Sequence, residues 1–179
     1  MASEFSVADC RALLANTPSI LSAIGHGLPA GLWHATEGPG TWSPFEVVCH
    51  LLHGEEDDWI PRMRLTLSGP PPKTFTPFDR EAGHVKYRND PPGRLLARFA
   101  DARAASLAAL DSFALDARTL ALTAIHPTLG EVTLEQLLAC WTTHDLVHVA
   151  QIARVLARHE GRFVGPWRQF MSLLRDQPQ

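Results

Sequence analysis

Apolar residues recur every three or four positions through most of this chain, which is the period of an α-helix with one buried face. The first such segment extends from about Val7 to His26 and is interrupted by Pro18. The last extends from Leu134 to about His159, with a stripe that passes through Trp141. No strong alternation of apolar and polar residues, the pattern of a half-buried strand, accompanies them. The pattern therefore favours an all-α protein.

Two capping boxes mark where helices begin. In Ser43-Pro44-Phe45-Glu46 and in Thr133-Leu134-Glu135-Gln136, a hydroxyl side chain and a Glu or Gln three residues later can each bond the other's backbone N–H. The first box predicts a helix to about Leu67, which Pro61 should kink or split. The second box begins the long C-terminal helix.

Another long helix should begin near Asn89-Asp90-Pro91, with Asp90 as its N-cap, and continue to about Phe113. Residues 70–90 form a long Pro-rich connection before it, and long connections are often functional. Within 114–132, residues 120–122 could be extended and residues 125–130 are typical of a turn. A short helix is expected over 167–174. Four long helices indicate a four-helix bundle, and 179 residues indicate a single domain, residues 1–179.

Composition narrows the class of protein. A hydrophobic fraction of 45% and a charged fraction of 20% are ordinary for a globular protein, and a net charge of −3 favours neither nucleic acid nor an anionic membrane as partner. No apolar run approaches the length of a membrane span, and the N-terminus does not have the pattern of a signal peptide. The three cysteines (Cys10, Cys49 and Cys140) form no CxxC and are expected to be reduced thiols in the cytoplasm.

His144 and His148 lie four residues apart on the predicted C-terminal helix, a rotation of about 40° and a rise of about 6 Å. Both imidazoles therefore leave one face, the inward face that also carries Trp141 and Ile152. Such a pair can bind one divalent metal, and a third histidine would complete a site with an open position. A chain with nine histidines can also contain HxxxH by chance. Asp145 points elsewhere and is expected to form a salt bridge to another helix.

The third ligand should come from the helix that begins at Ser43, where His50 and His53 are the candidates. His50 is preferred because its surroundings are apolar and Gly54 would leave space beside it. His53 borders the acidic run 55–58 and is expected to be exposed. Asp57 shares the side of His50 and is either part of a solvated face, a water-bridged ligand, a general base or a carboxylate that orients an imidazole. Cys49 points about 100° away from His50, which disfavours a ligand role.

Three segments carry a family resemblance: Trp42-Ser43 with His50-Leu51, the stretch 126–134, and His144-Asp145-Leu146-Val147-His148 with Gln151-Ile152. Together, and in this order, they resemble the DinB family of four-helix-bundle metalloenzymes, over about Leu13 to Leu156. The resemblance implies a metal triad of His50, His144 and His148, a Zn²⁺ or Ni²⁺ ion, and a homodimer. It also implies, for some members, transferase or isomerase reactions that use low-molecular-weight thiols.

The leading hypothesis is a metal-dependent enzyme that activates water for hydrolysis, or a low-molecular-weight thiol for transfer to a small-molecule substrate. Arg62, Arg64 and Arg88 are candidates to bind the carboxylates of such a thiol. One alternative is a metal-binding or stress-responsive helical bundle without turnover, which would need no cleft leading to the metal. Another is a plain bundle whose histidines are paired by hydrogen bonds.

Overall fold

The computed structural model describes residues 4–70 and 72–174, and most of them are helical. The long helices are α1 (Val7–Gly25), α3 (Pro44–Asp57) with its continuation α4 (Trp59–Leu67), α6 (Pro92–Ser112) and α8 (Leu134–Gly161). The connections contain the short helices α2 (Ala30–Trp33), α5 (Ala82–Tyr87) and α7 (Ala117–Leu120), the strands β1 (Thr123–His126) and β2 (Gly130–Thr133), and 3₁₀ turns at Gly165–Phe170 and Ser172–Leu174. The predicted all-α four-helix bundle is confirmed.

The long helices contact one another in a closed arrangement: α1 packs on α6 and α8, and α3 packs on the same two helices. The two strands pair antiparallel, with Ala124 opposite Val132, and form a hairpin before α8. Within the described ranges, 4–70 and 72–174, no helix is both long enough and apolar enough to cross a bilayer.

Both capping boxes are formed. Ser43 Oγ accepts the backbone N–H of Glu46 at 3.3 Å, and Glu46 Oε2 accepts the backbone N–H of Ser43 at 2.8 Å. Thr133 and Gln136 make the same reciprocal pair at the start of α8. The predicted split is also present: α3 ends at Asp57, and Pro61 lies in the first turn of α4. Backbone N–H groups in the first turn of a helix have no acceptor within that helix, so a proline there costs no hydrogen bond.

Two local predictions were wrong. Asp90 does not cap α6; Pro91 occupies that position without a side-chain bond, and the Asp90 carboxylate instead accepts from Arg98 at 2.8 Å. Consecutive prolines leave fewer backbone donors at this helix start, so a cap is less needed. Residues 120–122 are not a strand, because α7 ends at Leu120 and β1 begins at Thr123. The predicted Pro-rich connection 70–90 is present and contains the short helix α5, which packs on α3.

A charged group joins all four long helices inside the bundle. Arg103 on α6 is 1% exposed and donates to Glu55 Oε1 of α3 and to Asp145 Oδ2 of α8, each at 2.6 Å. Thr17 of α1 donates to Asp145 at 2.6 Å, and Trp141 Nε1 donates to Glu55 at 3.0 Å. The expected helix-to-helix salt bridge of Asp145 is therefore present. Because α3 and α8 carry the predicted ligands, this network fixes the relative position of the two ligand-bearing helices.

The contact of α5 with α3 depends on a glycine. A Cβ atom at Gly83 would lie 2.6 Å from the carbonyl oxygen of Cys49 and 2.9 Å from Cβ of His53. We expect Gly83→Ala to lower the free energy of unfolding by about 1–3 kcal/mol, because the backbones must separate. Gly93→Ala in α6, where a Cβ meets nothing within 4 Å, should change it by less than about 1 kcal/mol. Urea denaturation measures both, and equal effects would contradict the close packing.

Candidate metal centre

Three imidazoles from two helices converge on one point. His50 of α3 and His148 of α8 each place Nε2 close to Nε2 of His144, at 2.9 and 3.1 Å. The ligand atoms of the three residues all lie within 4.8 Å of one another. The capping box at Ser43 begins the helix two turns before His50, and the four-residue spacing on α8 aligns the other two rings. The structure thus brings together the three predicted histidines.

The hydrogen-bond partners of the outer ring nitrogens, Nδ1, determine which nitrogen carries the proton in two of these rings. Nδ1 of His50 lies 3.0 Å from the carbonyl oxygen of Arg80, and Nδ1 of His148 lies 2.8 Å from Oε1 of Gln151. Because both partners are acceptors, each Nδ1 carries the proton and each Nε2 presents a lone pair. Both lone pairs are directed at Nε2 of His144.

A single proton on Nε2 of His144 could satisfy only one of these lone pairs, whereas a shared cation would satisfy all three nitrogens. Carbonyl groups that hold the outer nitrogen are the usual second-shell partners of metal-bound histidines. The donor set therefore fits a divalent ion such as Zn²⁺ or Ni²⁺, for which imidazole is a preferred ligand.

Burial keeps the three imidazoles neutral. Loss of solvent, together with the charge that the neighbouring imidazoles would carry, lowers the pKa of His50 to about 4 and that of His144 to about 2. Burial also lowers the pKa of His148, against the hydrogen bond that His148 donates to Gln151. Neutral imidazole is the form that binds a metal, so the site does not need to lose protons at neutral pH.

Tryptophan rings enclose the centre. Trp42 packs on His50 with ring centroids 4.8 Å apart and lies nearly parallel to His148 at 6.0 Å. Trp59 meets His144 edge-on at 5.1 Å. Trp42 directly precedes the Ser43 cap, so the start of α3 positions both this ring and, two turns later, His50.

The centre borders an open cavity of about 740 Å³, a volume typical of a small-molecule site. Its walls come from the α3–α4 junction, the connection between α4 and α5, the hairpin turn and α8. The lining residues besides the three histidines include Asp58, Arg62, Phe78, Arg80, His126 and Arg154. Part of the long Pro-rich connection therefore forms a wall of the candidate site.

His53 does not have the exposed position that was expected. It is 8% exposed, its ring stacks on Phe78 with centroids 4.7 Å apart, and Nδ1 lies 3.0 Å from Oδ2 of Asp57. The physical reason is that Phe78 and α5 cover this side of α3. Asp57 also contacts Lys86 at 3.3 Å. Its carboxylate therefore lies beside the imidazole of His53 and contacts none of the three converging rings.

A carboxyl group that the sequence did not single out lies in the cavity wall. Asp58 is the C-cap residue of α3, pairs with Nε of Arg62 at 2.7 Å, and is buried, which raises its pKa to about 6 against the opposing charge of Arg62. In the sequence it is the last member of an acidic run that is typical of a solvated face. The Asp58 side chain faces the cavity because the helix is interrupted between α3 and α4.

The cationic residues of the wall differ from those expected. Of the three arginines considered, Arg62 lines the cavity, whereas Arg64 and Arg88 do not; Arg80 and Arg154 do. Nothing in the local sequence indicates this for Arg80. Cys49 is fully buried and its pKa is raised to about 12, mainly by burial, so it is a small apolar residue and no ligand.

Residues 13–152 match the sequence profile of the DinB superfamily. This chain belongs to the DinB superfamily. The DinB fold is also found in YfiT from Bacillus subtilis, which superimposes with a TM-score of 0.75 at 22% sequence identity, over 90% of this chain and 91% of YfiT. YfiT is described as a probable metal-dependent hydrolase with an unusual four-helix bundle topology. No curated protein sequence matches this chain.

Proposed function

We propose that this DinB-superfamily protein is a metal-dependent enzyme in which His50, His144 and His148 hold one divalent ion, Zn²⁺ or Ni²⁺. The observation that carries the proposal is the convergence of three Nε2 atoms, two of them with their lone pairs fixed inward. The description of the structural neighbour YfiT supports the same class of activity. The cavity beside the centre favours turnover over a binding module, which would need no cleft.

The bound ion would supply a Lewis acid that acidifies water or a thiol. Three neutral imidazoles leave its charge uncompensated, which favours an anionic nucleophile in the remaining position. Asp58 lines the same cavity and, with a pKa of about 6, is ionised at neutral pH. Its carboxylate would accept the proton that the water or thiol loses, while Arg62 holds it in orientation at 2.7 Å. Trp42 and Trp59 exclude solvent from the faces of the ligand rings.

Hydrolysis of a small molecule is the reaction we favour, and transfer of a low-molecular-weight thiol is the second candidate. A homodimer in the cytoplasm remains a prediction. Exposed apolar side chains on the outer faces of α1 and α8, Leu13, Ile20 and Leu146 among them, support the dimer.

The proposal is tested by loading the protein with Zn²⁺ and measuring hydrolysis of p-nitrophenyl acetate before chelation, after chelation and after reloading. We expect the rate to fall with removal of the metal and to return with it. Equal rates in all three states would contradict the proposal.

Asp58→Asn should lower the metal-dependent rate by about 10²-fold or more while leaving metal content unchanged, because the amide cannot accept a proton. Asp57→Asn is the matched control, since this neighbouring carboxylate contacts His53 and Lys86 and does not line the cavity. A loss of rate of the same size in both variants would exclude a specific role for Asp58.

A further inference from the structure

We propose that Arg80 binds an oxyanion group of the substrate, such as a carboxylate, so that the cavity selects small anionic molecules. This inference rests on the proposed function of the three-histidine centre, because it assigns the substrate class of that same site.

The ion pairs of the cavity wall leave one arginine available. Arg62 pairs with Asp58 at 2.7 Å, and Arg154 makes two bonds to the Glu37 carboxylate at 2.8 and 2.9 Å. Among residues 4–70 and 72–174, no carboxylate lies within ion-pairing distance of the Arg80 guanidinium. The adjacent Asp79 instead accepts the backbone N–H of Glu81 at 2.9 Å. Arg80 is thus the arginine of the cavity wall whose charge is not balanced by a carboxylate among these residues.

Both the backbone and the side chain of Arg80 contact residues of the candidate metal centre. Its carbonyl oxygen accepts from Nδ1 of His50 at 3.0 Å, and its guanidinium carbon lies 5.4 Å from the centroid of the Trp42 ring. That same ring packs on His50 and His148. The backbone contact fixes the segment, and the indole face supports the planar guanidinium without using its N–H groups.

The charge of Arg80 adds to that of the candidate centre, because its side chain lines the same cavity as the three histidines. Arg80 also lines a second cavity, of about 400 Å³, together with Trp42 and Gln151. A cation held by three neutral imidazoles and an unpaired guanidinium would together give the cavity a positive potential, which favours an anionic ligand. The flat fork of N–H donors suits a carboxylate in particular.

The test uses the Co²⁺-loaded protein and thiol probes that differ in one group. 3-Mercaptopropionate is compared with 3-mercaptopropionamide, and 6-mercaptohexanoate with its amide, by titrating the thiolate-to-cobalt absorption band. We expect the acid of at least one pair to bind about 10-fold more tightly than its amide, the contribution of a charge-assisted bond at a partly solvated site. In Arg80→Gln that ratio should fall to about 1, with affinity for the amide unchanged.

Arg118→Gln is the matched control, because this exposed arginine on α7 lies outside the cavity. The backbone contact to His50 survives in Arg80→Gln, so the metal content should equal that of the wild type. Ratios near 1 in the wild type, or ratios that Arg80→Gln leaves unchanged, would overturn the role of Arg80 alone. A protein that binds no cobalt, or binds it without any thiolate band, would contradict the open metal centre and this inference with it.

Discussion

Replacement of His50 by alanine is expected to weaken metal binding by more than about 100-fold, whereas the wild type should retain close to one divalent ion per chain. Loss of a second-shell partner alone typically costs about 10–100-fold in metal affinity, and His50 would be a ligand itself. The variant removes one of three converging Nε2 atoms and leaves His144 and His148 with a site open to water. Elemental analysis of dialysed protein and titration with a competing chelator measure the effect.

His53→Ala is the control for this prediction. His53 is also a buried histidine of α3, but its ring contacts Phe78 and Asp57, and among residues 4–70 and 72–174 it belongs to no group of converging ligands. We expect it to lose some stability and to keep the metal, and thermal unfolding of both variants separates the two effects. Equal metal content in His50→Ala and wild type would mean that α3 does not supply the third ligand.

Replacement of Arg103 by methionine is expected to lower the free energy of unfolding by about 3–5 kcal/mol. Methionine has a similar length and fills the space of the side chain, but it leaves Glu55 and Asp145 buried without their cation. These side chains are at most 2% exposed, so water cannot replace the lost partner. Urea denaturation followed by circular dichroism measures the change.

Arg11→Met provides the matched comparison, because Arg11 makes a similarly short bidentate pair with Asp111 between α1 and α6. Both partners of that pair are about half exposed, and we expect a change several times smaller than for Arg103→Met. The triple variant Arg103→Met, Glu55→Gln, Asp145→Asn should recover part of the loss, since it removes the unpaired charges. A small effect of Arg103→Met by itself would show that the buried network contributes little to stability.

The local signals in the sequence were sufficient for the helices. The boxes at Ser43 and Thr133 specify helix starts through bonds that span three residues, and Pro61 specifies a break through its own missing N–H. Asp90 failed as a cap for a local reason too, because the two prolines that follow it leave few donors to bond. Such features depend on neighbours in the chain and therefore can be predicted without the fold.

The sequence also determined the three converging histidines, through the inward spacing of His144 and His148 and the apolar surroundings of His50. Only the tertiary structure decided which other residues surround these histidines. Arg80 reaches His50 across 30 residues, and Phe78 covers His53 from the same connection. Asp58 turns into the cavity only because α3 ends at the residue before it. These contacts join residues distant along the chain, and no local periodicity or cap encodes which distant side chain will cover which face.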